Sequence, residues 1–449
     1  MRDIFTTLVI FGSIPLILRR PWIGILLWCW ISYMNPHRLS WGFAYNFPFA
    51  QVIVLATLIG MVSQKVKFEI PWTRESKWLL AFVLWMCVTT GFAYYPDAAW
   101  EQLVKVLKIQ FMTFITLILI NSRERVIAMV WAIALSLGFF GIKGGIFTLI
   151  NGGAYRVQGP PGTFIGGNNE LALALVMCIP LIRFLQLNTS QAWLRMGLGG
   201  AILFSAIAAI GSHSRGALLA MGIMGGFFWL KSRKKFMTAC MIVAAVGMVI
   251  AIMPAEYYER MNTIKTYDED ESAMGRINAW WFAYNLAMER PLVGGGFETF
   301  HPHLFYRLAP NPLDYHDVHS IYFEVLGEHG FVGLFMFLLL ALMAWRTATR
   351  VRKRSAKDPA LKWMADLMAM VQVSMAGYAA GGAFLGLAYF DLYYHLVALI
   401  VVSAHLLDAK LDERERERAA GLVGPPHPVP PPTGQLSSRI VTSSQRGPQ

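Results

Sequence analysis

Apolar runs of about 15–25 residues, the length needed to cross a hydrocarbon core, recur along nearly the whole of this 449-residue chain. The chain is 56% hydrophobic and 15% charged, whereas a soluble chain would carry about a quarter charged residues and divide into several cores. Tryptophans such as Trp22, Trp28, Trp41, Trp72 and Trp78 mark the ends of the runs, as expected of amphipathic rings that favour headgroup depth. Spans are expected at 4–18, 21–34, 47–63, 78–95, 103–120, 126–150, 169–187, 194–211, 216–230, 236–253, 320–345, 366–384 and 387–407. The first two are short and hinge on Arg19-Arg20, so they read as two crossings or one hairpin. The fold class is an all-α polytopic membrane protein with about 12–13 transmembrane helices.

The net charge of +12 does not form one basic face. Basic clusters lie between alternate runs: Lys65 to Lys77, Arg123 with Arg125, Arg183 with Arg195, Lys231 to Lys235, and Arg346 to Lys362. Counting crossings puts them all on one side, which the positive-inside rule makes the cytoplasm, and no surface remains for nucleic acid. The four cysteines each lie inside an apolar run without a CxxC partner, which argues against a disulfide framework or a thiolate metal site. Arg19-Arg20 follow the first run without a small-residue cleavage site, so that run reads as a retained span.

The opposite side receives a long loop, 254–318, with ten acidic against five basic residues and helical patches such as Ile277–Glu289. Loops well beyond about 12–15 residues usually carry function. The chain therefore divides into a membrane-embedded domain, 1–407, containing this loop, and a cytoplasmic tail, 408–449. The tail opens as a solvated charged helix through Asp412–Arg418 and continues as a Pro-rich segment expected to be disordered.

No soluble-enzyme motif is present, and polar residues concentrate instead at the outer ends of spans. The first group is Gly211-Ser212-His213-Ser214-Arg215-Gly216. An arginine there can simply snorkel, but its place on the outer side runs against the positive-inside pattern. The second is Gly275-Arg276 with Trp280 and Pro291–Phe297. Arg276 can form an ordinary salt bridge with the acidic run 268–271, or bind phosphate oxygens through the guanidinium fork. The third is His316–Glu324 with Glu328, Gly330 and Gly333. His319, where the outer loop enters a span, can be a structural histidine or a general base, and Glu324 or Glu328 could orient a ring or cap a partner helix. Metal binding by His301, His303, His316 and His319 with Asp314 and Asp317 is a rival use, although the spacing fits no standard zinc pattern.

At these places the chain resembles the O-antigen ligase and polymerase family of bacterial envelope glycan enzymes. Arg156–Gly159 and Gly167–Glu170, up to Pro180, look like that family's loop before a span. The opening, with Arg20-Pro21-Trp22 and Tyr33-Met34-Asn35-Pro36-His37-Arg38, is similar to the O-glycosylation ligases found beside exosortase-A systems. The likeness covers about 1–405; Ser320 departs from it, since the family often has Asn after the histidine. The resemblance implies a GT-C-like membrane glycosyltransferase of the bacterial inner membrane, with its site facing the periplasm. It implies transfer of a glycan from an undecaprenyl-diphosphate carrier to an acceptor hydroxyl on lipid A core, a protein or another glycan, with no cofactor and no metal. Arg215 and Arg276 would hold the diphosphate and His319 would deprotonate the acceptor. Arg156, Ser320, Glu324 and Glu328 would contact substrate. A repeat-unit polymerase is the close alternative. A transporter or flippase is the more distant one, since there is no repeat symmetry and few charges at mid-span besides Lys105, Lys108 and Lys143.

Overall fold

The computed structural model describes residues 1–232, 234–237, 239, 240, 243, 247 and 271–420. Most of the expected span 236–253, the start of the large loop with its acidic run to 270, and the Pro-rich tail beyond 420 lie outside the described residues.

Among the described residues the chain is all helix and turn. In order come α1 (Arg2–Arg19), α2 (Trp22–Tyr33), α3 (Phe49–Ser63), α4 (Arg74–Thr90), α5 (Pro96–Leu119), α6 (Arg123–Ile150) and α7 (Asn168–Leu187). They are followed by α8 (Ala192–Gly211), α9 (Arg215–Lys231), α10 (Glu271–Glu289), α11 (Pro302–Leu308), α12 (Ile321–Ser355), α13 (Lys362–Gly381) and α14 (Asp391–Ala419). Seven of them, α5 to α8 and α12 to α14, are long and apolar enough to cross a membrane. The apolar α2 and α3 are shorter. Each expected span on described residues coincides with a helix, and α10 begins earlier than the helical patch read from the sequence.

Local chemistry explains several starts. Thr73, Ser122 and Ser214 each accept a backbone N–H with the side-chain oxygen, at 3.4, 3.4 and 3.2 Å, which satisfies a donor the helix cannot. Burial then sorts the helices. α7 is buried on all sides from Leu171 to Ile182, as a helix apolar all round must be, and stands at the centre with α13. α1 instead exposes Ile4, Phe5, Leu8 and Phe11, a surface that lipid would cover. Two compact units result, Met1–Leu407 and Asp408–Gln449, and within the second Lys410 donates to Glu413.

Helices run between two ends. At the end bearing the connections 34–48, 91–95, 151–167, 212–214 and 382–390, the Asp3 carboxylate accepts from Gly42 N (3.1 Å) and Ala44 N (3.2 Å). His37 lies here against Phe49, and burial, with Arg38 adding like charge, lowers its pKa from 6.5 to about 4. Held neutral when folded, His37 takes a proton below pH 6.5 only in the unfolded chain. Its contribution to stability is therefore full above pH 6.5 and is lost as the pH falls toward about 4. A His37→Phe chain in detergent is expected to lose less melting temperature across that window than the parent, and an identical pH dependence would remove His37 as its source.

α12 is not continuous. Gly330 has φ 67° and ψ −171°, a conformation open essentially only to glycine, and there the helix breaks. The freed backbone groups find partners in the turn after α10. Gly295 N donates to Gly327 O (2.8 Å), Gly296 N to Glu328 O (2.9 Å), and Phe331 N to Pro291 O (2.9 Å). A Cβ at Gly330 would lie 2.5 Å from Leu292 O and 2.6 Å from Pro291 O. Gly330→Ala is therefore expected to cost at least about 3 kcal/mol, from strain plus overlap. Its signature is a large loss of folded, monodisperse protein, and normal yield with an unchanged melting temperature would contradict the break.

Candidate active site

The first group is built on the turn between α8 and α9. Ser212 Oγ donates to Ala209 O (2.6 Å) and accepts from Ser214 N (3.2 Å), closing the turn. His213 adopts φ 57° and is nearly buried, its Nε2 2.8 Å from Gly153 O. Arg215 is the first residue of α9 and is half-buried. A helix start carries partial positive charge, to which a guanidinium at that position adds. The loop that contains Arg156 runs beside this turn: Val157 N donates to Gly211 O (3.0 Å) and Asn168 Nδ2 to Ser212 O (2.8 Å). Arg156 itself is exposed.

The second group is carried by α10. Arg276 is half-buried, one turn before Trp280. Asn278 clamps the 311–314 segment, donating to Asn311 O (2.8 Å) and Asp314 O (3.0 Å) and accepting from Asn311 N (2.9 Å). The ring of His316 lies against Gly275, where a side chain would collide with it. Trp280 Nε1 donates to Val318 O at 2.9 Å, fixing the residue immediately before His319.

His319 has φ 39°, a left-handed conformation costing a non-glycine residue about 1–2 kcal/mol and tolerated where neighbours enforce it. Enforcement comes from the Trp280 bond, from Val318 N donating to Asp317 Oδ1 (2.7 Å), and from Glu324 N donating to Ser320 O (2.8 Å) as α12 begins. The imidazole is 32% exposed, and its Nδ1 is 3.9 Å from Asp317 Oδ2. A ring both reachable and faced by a carboxylate suits proton transfer. Ser320 Oγ is buried and has no hydrogen-bond partner among the described residues.

The two glutamates after His319 point inward. Glu324 Oε2 accepts from Ala388 N (3.1 Å). Glu328 is buried, with Oε1 accepting from Glu298 N (2.9 Å) and Oε2 from the Tyr389 hydroxyl (2.5 Å). His329 is fully buried, its Nδ1 2.7 Å from Thr89 Oγ1. The histidines read as a rival metal site are dispersed: His301 packs on Tyr95 and His316 on Asp314, and no group of three or more His, Cys, Asp or Glu among the described residues could hold an ion.

One aromatic bridge joins the groups. Trp280 stacks on Phe323 (centroids 5.2 Å, 8°) and reaches Phe384 at 6.1 Å. Phe384 Cβ in turn lies 3.2 Å from where a Gly216 side chain would begin, beside Arg215. The turn holding Arg215, the helix holding Arg276 and the corner holding His319 are thus packed around shared side chains.

Residues 200–338 match the family model described as O-Antigen ligase. That segment includes Arg215, Arg276, His319, Ser320, Glu324 and Glu328, and supports a membrane ligase or polymerase-like function. Residues 1–190, which include Arg156, match a family of unknown function (DUF5935). No curated protein matches the chain.

Sequence reasoning passed over Tyr389 and used Asp317 only as a rival metal ligand. A signal was present: Tyr389-Phe390-Asp391-Leu392-Tyr393-Tyr394-His395 sets two titratable groups, Asp391 and His395, four apart in an otherwise apolar segment, where polar side chains are rare and face the bundle interior.

Proposed function

We propose that the chain moves a glycan from an undecaprenyl-diphosphate carrier to an acceptor hydroxyl at the periplasmic face of the bacterial inner membrane, as the O-glycosylation ligases it resembles at its N-terminus would. The observation that carries this reading is the packing of Arg215, Arg276 and His319 onto elements joined through Trp280 and Phe384. Arg215 and Arg276 grip the diphosphate, where a guanidinium fork offers two parallel donors to phosphate oxygens. With Asp317 near Nδ1, the Nε2 of His319 is the atom left for the acceptor. It takes the hydroxyl proton as the acceptor oxygen bonds to the anomeric carbon. The bond from that carbon to the phosphate oxygen breaks, and its electron pair leaves on undecaprenyl diphosphate. Two positioned cations stabilise the charge gathering there, so the chemistry needs no metal or nucleotide sugar. Arg156, on the loop beside Arg215, reaches toward the carrier, while Ser320, Glu324 and Glu328 shape the wall behind His319.

Deleting the gene and analysing envelope extracts tests this reading. Full-length glycan left unattached on its carrier is the expected result. Shortened lipid-linked chains would identify a repeat-unit polymerase instead, and glycan retained on the cytoplasmic side would identify a flippase. Transfer by purified protein is expected to persist in EDTA, and its loss would restore the metal reading.

A further inference from the structure

The ligase-family match ends at residue 338 and the other match at residue 190, so neither includes the segment that holds the two inward glutamates. That segment, Leu385–Phe390, lies between a short 3-10 turn and α14 and is not helical. Its course is therefore set by side-chain ties rather than by a continuing helix. Two come from nearby: Tyr378 OH donates to Leu387 O (2.9 Å) and Tyr394 OH to Ala388 O (2.9 Å). Just beyond the segment, the start of α14 is held by α2, more than 350 residues away in sequence. Ser32 Oγ donates to Asp391 Oδ2 at 2.5 Å, and the Tyr33 hydroxyl shares a hydrogen bond with His395 Nδ1. Tyr33 also meets Phe390 edge-on, with centroids 6.0 Å apart at 81°. Tyr33, Asp391 and His395 are all buried, and Asn35, at φ 48°, secures the end of α2 by donating to Ser32 O (2.6 Å).

We propose that the end of α2 is a positioning element for the transfer site. Ser32 and Tyr33 grip the start of α14 and so fix Ala388 and Tyr389, the groups that hold Glu324 and Glu328 in the turns following His319. The inference rests on the glycan-transfer reading and assigns part of its machinery to the region matched only by a family of unknown function. Apolar side chains would join two helices in this setting at lower desolvation cost; a buried carboxyl–hydroxyl pair adds register, because it is satisfied in one alignment only. Register is what the neighbouring segment needs. Tyr389, two residues before Asp391, must meet Glu328 Oε2, and Ala388 N must meet Glu324. Glu328 in turn holds Glu298 N, and the adjoining turn closes the break in α12. A slip at Asp391 would thus be passed to the helix whose first turn presents His319.

The test uses the purified full chain in nanodiscs. Undecaprenyl diphosphate serves as the binding probe, and membranes from a strain lacking the gene supply donor and acceptor. Ser32→Ala and Tyr33→Phe are expected to lower turnover per folded protein roughly 10- to 100-fold, the scale set by small misplacements of reacting groups, with affinity for undecaprenyl diphosphate unchanged. Tyr33→Phe combined with Tyr389→Phe should lose no more than the worse single change, since both cut one chain of contacts. Parental turnover in either folded variant overturns the proposal, as do independent, multiplying losses in the double variant. Should Ser32→Ala not fold, Ser32→Cys keeps its volume with a weaker donor and is read the same way. His319→Ala is assayed alongside: if it retains transfer, the site reading itself fails, whatever Tyr33 shows.

Discussion

His319→Ala will abolish glycan transfer while the protein still inserts, folds and binds its donor. The ring sits at the entry to α12 in a strained left-handed conformation held by Trp280 through Val318 O, and it is partly open on one side. The tie that shapes this corner runs through the backbone, so stability should not fall; what disappears is the group proposed to take the acceptor's proton. A positioned general base is worth roughly 10²–10⁴ in rate, which would carry turnover below detection in a membrane assay. The diphosphate contacts assigned to Arg215 and Arg276 remain, so donor affinity is expected to hold. Full turnover in the alanine variant would take His319 out of the mechanism. Normal turnover with weakened donor binding would recast it as a carrier contact.

Arg276→Lys should fail almost as completely. Lysine preserves the charge and most of the reach, so a surface salt bridge would hardly register the change. A diphosphate bound by a fork would, because an ammonium is a compact point charge that cannot present two parallel donors. Losing a donor aimed at developing charge costs about 10²–10³ in turnover. Arg276 is suited to that task by its setting. It is half-buried on a helix that Asn278 locks to the 311–314 segment and Trp280 to Val318, so its Cα is held relative to His319. Turnover at saturating donor is the measurement that decides. A lysine variant that turns over like the parent would return Arg276 to an ordinary ion pair.

The residues proposed for the site stand out along the chain. Arg215 follows a capping serine at the start of α9, Arg276 is one turn before a tryptophan, and His319 stands where a loop enters α12. Each is conspicuous because polar groups at span ends stand against an apolar background. The partners of the wall behind them were not legible. Glu324 and Glu328 read in sequence as substrate contacts, as groups that orient a ring or as caps of a partner helix, and only the fold shows the oxygens of Glu328 meeting Tyr389 and the Glu298 backbone and one oxygen of Glu324 meeting Ala388 N. The glycines of 291–297 read as a motif, and their physical use, pairing with a broken helix at Gly330, appears only when the two segments meet.

Apolar run length and charge alternation determined the class of fold and the order of its spans. Both are local properties, and a segment that crosses lipid must satisfy its backbone within itself, which makes it a helix wherever it lies in the bundle. Only the tertiary structure decided which helices share a wall. The ties of Ser32 to Asp391 and of Trp280 to Val318 join residues 359 and 38 positions apart, and such pairing is chosen by packing and desolvation of the whole bundle, which no local period records.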